Sequence, residues 1–378
     1  MIPPLTVGDS PIRAFLVRFA LLAVALVAGC QKSDPSGQIV IGHTLPADSP
    51  SELQAIRLEL DRLNADPPVP GLRWGSIHAE AGKTPEQILG QANRLAAVDR
   101  VHVLVGGLSP VHADRLGQVA SSEPMLAITL AEAPLAPTQS WQFCLGISPT
   151  DRGYWLARIA RDELKLRRIA VVRSADEPIS KSLETFRSGF IAAKGTISEI
   201  VATKDEKVDD LLSRLIADGC DGVFLAAPDA TAILRAMRNS SIPVFFGGDE
   251  SSLRFLPGGA GGKTPIYAVG VWSEDPAALP PGAVAWRKTW IDEYRRPPDA
   301  AAVLMTDAIR VLGQAIGRTG TFAPNRVRDE LMRPGATFDG VLGPLRFDVG
   351  QTCHRTAFML HWDGIAWKTR NRLEPVQE

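Results

Sequence analysis

Cysteine is scarce in this chain. There are four in 378 residues, and no two stand in C-x-x-C spacing. The absence of that spacing excludes a zinc-ribbon pattern and a C-x-x-C dithiol redox pair. Cys30 stands apart near the N-terminus, whereas Cys144, Cys220 and Cys353 lie in apolar surroundings (Q-F-C-L, D-G-C-D-G-V-F and T-C-H-R-T-A-F). We expect these three to be small buried residues. They cannot all pair within one chain, and one disulfide stays open to them in an oxidising compartment. An excess of charge of one sign is also missing, with 41 Lys and Arg against 42 Asp and Glu. Nucleic acid requires a basic face and is not an expected partner. Catalytic signatures are missing as well. There is no G-x-S-x-G and no H-E-x-x-H, and the six histidines are scattered. Cys353 and His354 are neighbours that would point to opposite faces of a strand. No enzyme, metal or cofactor is therefore expected. The segment P-G-G-A-G-G-K-T (257–264) comes near a P-loop, but Pro257 stands where that motif needs Gly. The residues after it, P-I-Y-A-V-G-V, read as a strand rather than a helix, so the segment is expected to be a flexible surface loop.

Uncharged apolar runs are short. The stretch from Phe19 to Gly29 has no charge and follows Arg13 and Arg18. Its length suits the apolar region of a secretory leader and falls short of the ~20 residues of a membrane span. It ends in L-V-A-G-C at 26–30. This looks like a bacterial lipobox, in which small residues at Ala28 and Gly29 give a peptidase access to the bond before a lipid-modified Cys. Residues 1–29 are read as the leader, and residues 30–38 as the lipidated Cys30 and its tether. The polar segment Q-K-S-D-P-S-G (31–37) would reach roughly 20–25 Å when extended. The expected location is the outer side of a bacterial membrane, with Cys30 anchoring the chain to it. Without the leader the balance becomes 39 basic against 41 acidic residues.

Apolar periodicity divides the remainder into two similar halves. In the first, strands at 39–42, 72–78, 101–106 and 124–129 alternate with helices at 51–64, 84–97 and 111–121. Leu53, Ile56, Leu60 and Leu63 fall at helical spacing, and Pro85 suits the first turn of its helix. The pattern restarts after Pro149. Helices at 152–164, 180–193, 209–218 and 229–239 alternate with strands at 168–173, 197–201, 222–227 and 243–247. A strand at 266–271 and helices at 283–295, 299–317 and 325–332 follow. The tail 345–368 reads as a hairpin of R-F-D, A-F-M-L-H-W, a D-G turn at 363–364 and I-A-W-K. Runs such as V-L-V and M-L-A-I are apolar on both faces, as parallel strands between helices should be. The expected fold class is α/β, with two doubly wound parallel-sheet lobes joined by a hinge of several crossings. Lobe 1 takes 39–147 and 272–337, and lobe 2 takes 148–271 and 338–372.

Ligands of open α/β sheets bind beyond the carboxyl ends of the strands. Three loops stand at such ends: V-G-G-L-S (105–109), I-T-L-A-E-A-P (128–134) and F-G-G-D-E (246–250). In the first, Ser109 and the amides around Leu108 suit an anionic group, and a plain helix cap is the alternative. In the third, Asp249 and Glu250 could meet an ammonium, and a solvated turn is the alternative.

The order of elements resembles the type I periplasmic binding proteins, in particular the branched-chain amino-acid (leucine-binding) class of ABC-transporter receptors. The likeness covers about 39–368. Its most specific part is F-D-G-V-L-G-P-L-R-F-D-V-G (338–350), similar to the family's G-x-x-G-P-x-x-F-D-x-x-G element. V-L-V-G-G-L-S-P with E-P-M-L-A-I-T-L-A, A-V-L-M-T-D-A-I-R-V-L (302–312) and P-D-A-T-A-I-L-R-A-M-R (228–238) also match. The resemblance implies two lobes that close on a small polar solute, an amino acid or related compound, for uptake through an ABC permease. The expected ligand site comprises Leu108, Thr129 and Glu250 from the strand-end loops together with Ser109, Ala131, Ala133 and Asp249, which the resemblance also implies. Ser109 would meet the solute's carboxylate, Ala131 would make a backbone contact, and Asp249 would hold the α-ammonium. Ala133 stands where the family usually has Thr. Pro178 and Ala226 lie near positions that are usually Tyr, and the loop 43–50 is short. These departures leave a second reading open: a sensory or scaffold lipoprotein of the same fold, reporting to a membrane partner.

Overall fold

The computed structural model describes residues 37–46, 49–133, 140–176, 179–203, 207–226, 230–253, 256 and 262–376. Cys30 and the leader, Pro178, Asp229 and residues 257–261 lie outside these. Ile39–Glu378 forms one compact unit.

In the first half, β1 (Gln38–Leu45), α1 (Pro50–Ala65), β2 (Arg73–Glu80), α2 (Pro85–Asn93), β3 (Val103–Gly106), α3 (Pro110–Ser122), β4 (Leu126–Thr129) and β5 (Gln142–Cys144) follow in turn. They build a five-stranded sheet in the order β2-β1-β3-β4-β5, parallel from β1 through β5. Both faces of this sheet are covered, and alternation along the strands shows how. Val103, Val105, Leu126 and Ile128 join one core, while Leu104 and Ala127 join another with Leu116 and Ala92. This is why the strands read as continuous apolar runs.

The second half comprises α4 (Pro149–Arg158), β6 (Arg168–Ser174), α5 (Lys181–Ala192), β7 (Thr196–Ala202), α6 (Val208–Asp218), β8 (Gly222–Ala226), α7 (Ala230–Ala236), β9 (Val244–Phe246), α8 (Glu250–Leu253) and β10 (Ile266–Gly270). Helices α9 (Pro281–Tyr294), α10 (Ala300–Thr319) and α11 (Pro324–Leu331) follow. Then come β11 (Phe338–Gly340), β12 (Gly343–Phe347), β13 (Cys353–His354), β14 (Ala357–Trp362) and β15 (Trp367–Leu373). The second sheet has seven strands in the order β15-β14-β10-β9-β8-β6-β7, with β14 and β15 antiparallel. The D-G turn lies between β14 and β15, with Gly364 at φ +99. The two α/β lobes expected from the sequence are therefore present.

Helices α9 and α10 return to the first lobe. The Tyr294 hydroxyl donates to the Gln54 carbonyl at 2.9 Å, and Arg310 binds Glu59 at 2.9 Å. Among the described residues only α10 is long and apolar enough to cross a membrane, and most of it is buried in the protein.

Two expectations need correction. R-F of the tail does not pair with A-F-M-L-H-W. Instead Arg346 and Phe347 pair with His354 and Cys353, so β11, β12 and β13 form a separate antiparallel sheet. The intervening residues 348–352 turn tightly, the Asp348 carboxylate accepting the Thr352 N–H at 2.9 Å. Strand β5 was not expected from its three residues. Its polar Gln142 is buried because Nε2 donates to the Ala113 carbonyl and the Thr129 hydroxyl.

The chain passes between the lobes at 145–149, 271–280 and 355–356. The three buried cysteines are free thiols. Burial pushes Cys144 and Cys353 up to about 12, so neither is a reactive thiolate.

Candidate functional site

The first loop is shaped by glycine. Gly106 and Gly107 have φ +137 and +73, and a Cβ on Gly107 would stand 2.8 Å from the Ala113 Cα. Ser109 then caps α3, its hydroxyl oxygen accepting the His112 N–H at 3.3 Å. The cap reading is realised, and among the described residues no acceptor takes the hydroxyl proton. Leu108 is half-buried beside it.

In the second loop, Thr129 turns into the core. Its hydroxyl donates to the Phe143 carbonyl at 3.3 Å and accepts from Gln142. The Ala131 carbonyl accepts the Gly146 N–H at 2.8 Å. A Cβ on Gly146 would lie 2.8 Å from both Ala131 C and Glu132 Cα, so only glycine lets the first crossing run so close. Ala133 is half-buried.

The Glu132 side chain beside this close approach meets Arg152. Sequence reading did not single out either residue. Arg152 sits in the first turns of α4, and its guanidinium makes a two-point ion pair with the Glu132 carboxylate. Its side chain is 1% exposed. Helix α4 packs on α5 and β10 of the second lobe, whereas Glu132 follows β4 of the first. The pair therefore joins the lobes.

The third loop brings two more carboxylates to the same place. Asp249 caps α8, with Oδ1 accepting the Ser251 hydroxyl and the Ser252 N–H at 2.8 Å. Glu250 is buried and accepts the Val271 N–H of the second crossing at 2.9 Å. Both interact electrostatically with Glu132 and Arg152. One guanidinium thus faces three carboxylates. Burial, with the charges of Asp249 and Glu250, pushes Glu132 up to about 7 against the pull of Arg152. Burial also raises Glu250.

A second charged set braces the hinge. Arg355 of the third crossing donates to the Leu145 carbonyl of the first at 3.1 Å and to Asp307 of α10 at 2.6 Å. The other Asp307 oxygen accepts the Val341 N–H at 2.6 Å. His354 lies between Asp151 at 3.1 Å and Asp348 at 3.3 Å, and these hydrogen bonds raise it to about 9. A histidine raised in this way adds stability that is complete below its ordinary value of 6.5 and is lost as pH climbs through about 9. The melting temperature should fall across that interval, and His354→Gln should flatten the fall. An equal fall in the variant would contradict the assignment.

The loop 43–50 contributes differently from expectation. His43 and Thr44 belong to β1 and are buried. Thr44 bonds the His112 ring at 2.6 Å, and the Nδ1 atoms of His43 and His78 are hydrogen-bonded at 3.2 Å. Burial lowers His112 to about 4 and, with His78, lowers His43 to about 3, so both are neutral at pH 7. Ala226 is half-buried at the end of β8.

The family model of the periplasmic binding proteins matches residues 44–364. The chain belongs to that family. A leucine-binding protein from Thermotoga maritima is similar in structure, with a TM-score of 0.71 at 17% identity, covering 89% of this chain and 99% of its own. A branched-chain amino-acid transporter substrate-binding protein from Streptococcus pneumoniae, in complex with isoleucine, has a TM-score of 0.72 at 16% identity, covering 89% and 99%. A solute-binding protein from Rhodopseudomonas palustris, in complex with 3,4-dihydroxybenzoic acid, has a TM-score of 0.72 at 17% identity, covering 90% and 98%. Among curated proteins none matches the chain. The resemblance seen in the sequence thus holds for family and fold. A periplasmic binding protein is an extracytoplasmic solute-binding protein.

Proposed function

We propose that this periplasmic binding protein is a lipoprotein, anchored through Cys30, whose lobes close on a small polar solute for delivery to an ABC permease. The solute carries an ammonium group and is an amino acid or a related compound. The observation that carries this reading is the meeting of Asp249 and Glu250 with Glu132 and Arg152 where the lobes face each other, with Ser109 on the neighbouring loop of the first lobe. An ammonium suits this place, because Asp249 Oδ2 takes no hydrogen bond from the described residues. Lobe closure brings groups of both lobes onto one solute, so neither lobe binds well alone. Relatives of this fold hold isoleucine in one case and a hydroxylated benzoic acid in another, so ligand class follows from the side chains of each cleft.

The test is calorimetry of residues 31–378 against amino acids, their amides, amines and small carboxylates. Asp249→Ala and Ser109→Ala should each weaken binding about tenfold or more, the value of one charge-assisted hydrogen bond. Micromolar binding that survives both changes would sink the site. The Glu132–Arg152 pair also favours a second reading, a sensor whose cleft is filled by its own side chains. That reading expects no solute to bind wild-type protein. Mass spectrometry of the N-terminal peptide tests the anchor, which requires acyl mass on Cys30.

A further inference from the structure

We propose that the solute is a cation without a free carboxylate, of the class of amino-acid amides, with its uncharged carbonyl turned to Arg152 and its ammonium to Asp249 and Glu250. This rests on the solute-binding reading above and narrows it. An amino acid brings its own carboxylate and needs a cation to receive it. Among the described residues the cation beside these loops, Arg152, already holds a carboxylate of this chain, that of Glu132, and Arg355, which also acts on Glu250, is held by Asp307. Two further carboxylates, Asp249 and Glu250, act on the same pair. A carboxylate solute would add a fourth acidic group beside a guanidinium that is already paired, in a buried place where unpaired charge is most costly. An ammonium instead offsets the surplus.

The remaining feature is an unused donor. Arg152 Nε is fully buried and has no hydrogen-bond acceptor among the described residues. A buried donor of this kind requires an acceptor, and a neutral carbonyl supplies one without adding charge. Glu132 therefore does inside the protein what the carboxylate of an amino acid would do in a cleft with a free guanidinium. It is a specificity-determining residue that substitutes for the carboxylate half of the amino acid.

Linkage gives the proposal a signature. The groups facing Glu132 are Arg152 on α4, Asp249 and Glu250 after β9, and the Cys144 thiol on β5. Arg355 acts on Glu250. Glu132 and Glu250 are the members whose protonation is pushed upward, Glu132 to about 7. A bound ammonium favours their charged forms and so expels protons. Affinity for a cation should then rise with pH, by at most about tenfold per unit and per proton released, and level off above about 7. An anionic solute would show the opposite slope.

The experiment is calorimetry of residues 31–378 with leucinamide, leucine and benzoate at pH 5.5, 6.5 and 7.5, repeated with Glu132→Gln. The expected result is that wild type binds leucinamide at least tenfold tighter than leucine, with affinity rising toward pH 7.5. Glu132→Gln frees the guanidinium and should gain tenfold or more for leucine or benzoate while keeping an unchanged circular dichroism spectrum. Wild-type protein that prefers leucine or benzoate, or whose affinity falls as pH rises, overturns the inference and leaves the solute-binding reading standing. Glu132→Gln that folds and gains nothing for carboxylates also overturns it. If no compound binds either protein, the solute-binding reading falls with it.

Discussion

Arg152→Met is expected to lower stability by about 3–5 kcal/mol, the range for removing one partner from a buried ion pair. The change leaves Glu132, Asp249 and Glu250 acting on one another without the guanidinium that pairs with Glu132. It should also abolish solute binding. The loss ought to depend on pH in a stated direction. Glu132 and Glu250 are pushed upward even with Arg152 present, so without it they protonate at higher pH still. A carboxyl raised in the folded state holds more protons there than when unfolded, so stability falls as pH rises. Urea denaturation at pH 8 and pH 5.5 should show the gap between variant and wild type shrinking at the lower pH. A gap that is the same at both would mean that the carboxylates are not coupled through Arg152.

Asp307→Ala should be as costly, again about 3–5 kcal/mol. Asp307 is fully buried and holds two donors at once, the Arg355 guanidinium and the Val341 N–H, each at 2.6 Å. Arg355→Met should cost a similar amount. The double variant Asp307→Leu with Arg355→Met should lose much less than the sum, because no buried charge is stranded. Additive losses would show that the pair is not one unit. These residues lie at the hinge, where Arg355 ties the third crossing to the first through the Leu145 carbonyl. A domain total of about 5–15 kcal/mol makes either single change large.

The fold was legible where burial is continuous along a strand. V-L-V-G and I-A-V-V are apolar on both faces because helices cover both, and parallel strands of this kind declare themselves in sequence. Helix α10 showed through its apolar stripe. Strand β5 did not, since Gln142 is polar and its burial depends on bonds to Ala113 and Thr129, far apart in the chain. The pairing of β12 with β13 was hidden for another reason: a hairpin reading favoured the longer run of β14, which β10 claims instead.

The candidate site was legible by position and not by charge. The loops after β3, β4 and β9 were identified from where strands end, and Ser109, Asp249 and Glu250 lie on them. Glu132 sits in one of these loops between Ala131 and Ala133, yet a single Glu in a loop reads as solvated. Arg152 reads as an exposed first-turn residue of a helix. Gly146, whose missing Cβ lets the crossing chain close on Ala131 and Glu132, is part of what covers Glu132. A glycine just after a strand and before a helix was the available signal, and it marks close approach without naming what approaches. Thr129 looked like a ligand contact because it ends a strand, but its hydroxyl is engaged with Phe143 and Gln142 in the core.

The central claim is that Asp249 and its neighbours between the lobes hold a solute. The most direct measurement is mass spectrometry of small molecules released by denaturing protein that was purified without added ligand. Wild-type protein should release one cationic compound in near-stoichiometric amount, and Asp249→Ala should release little or none of it. The same compound in equal amount from both proteins, or none from either, would contradict the claim.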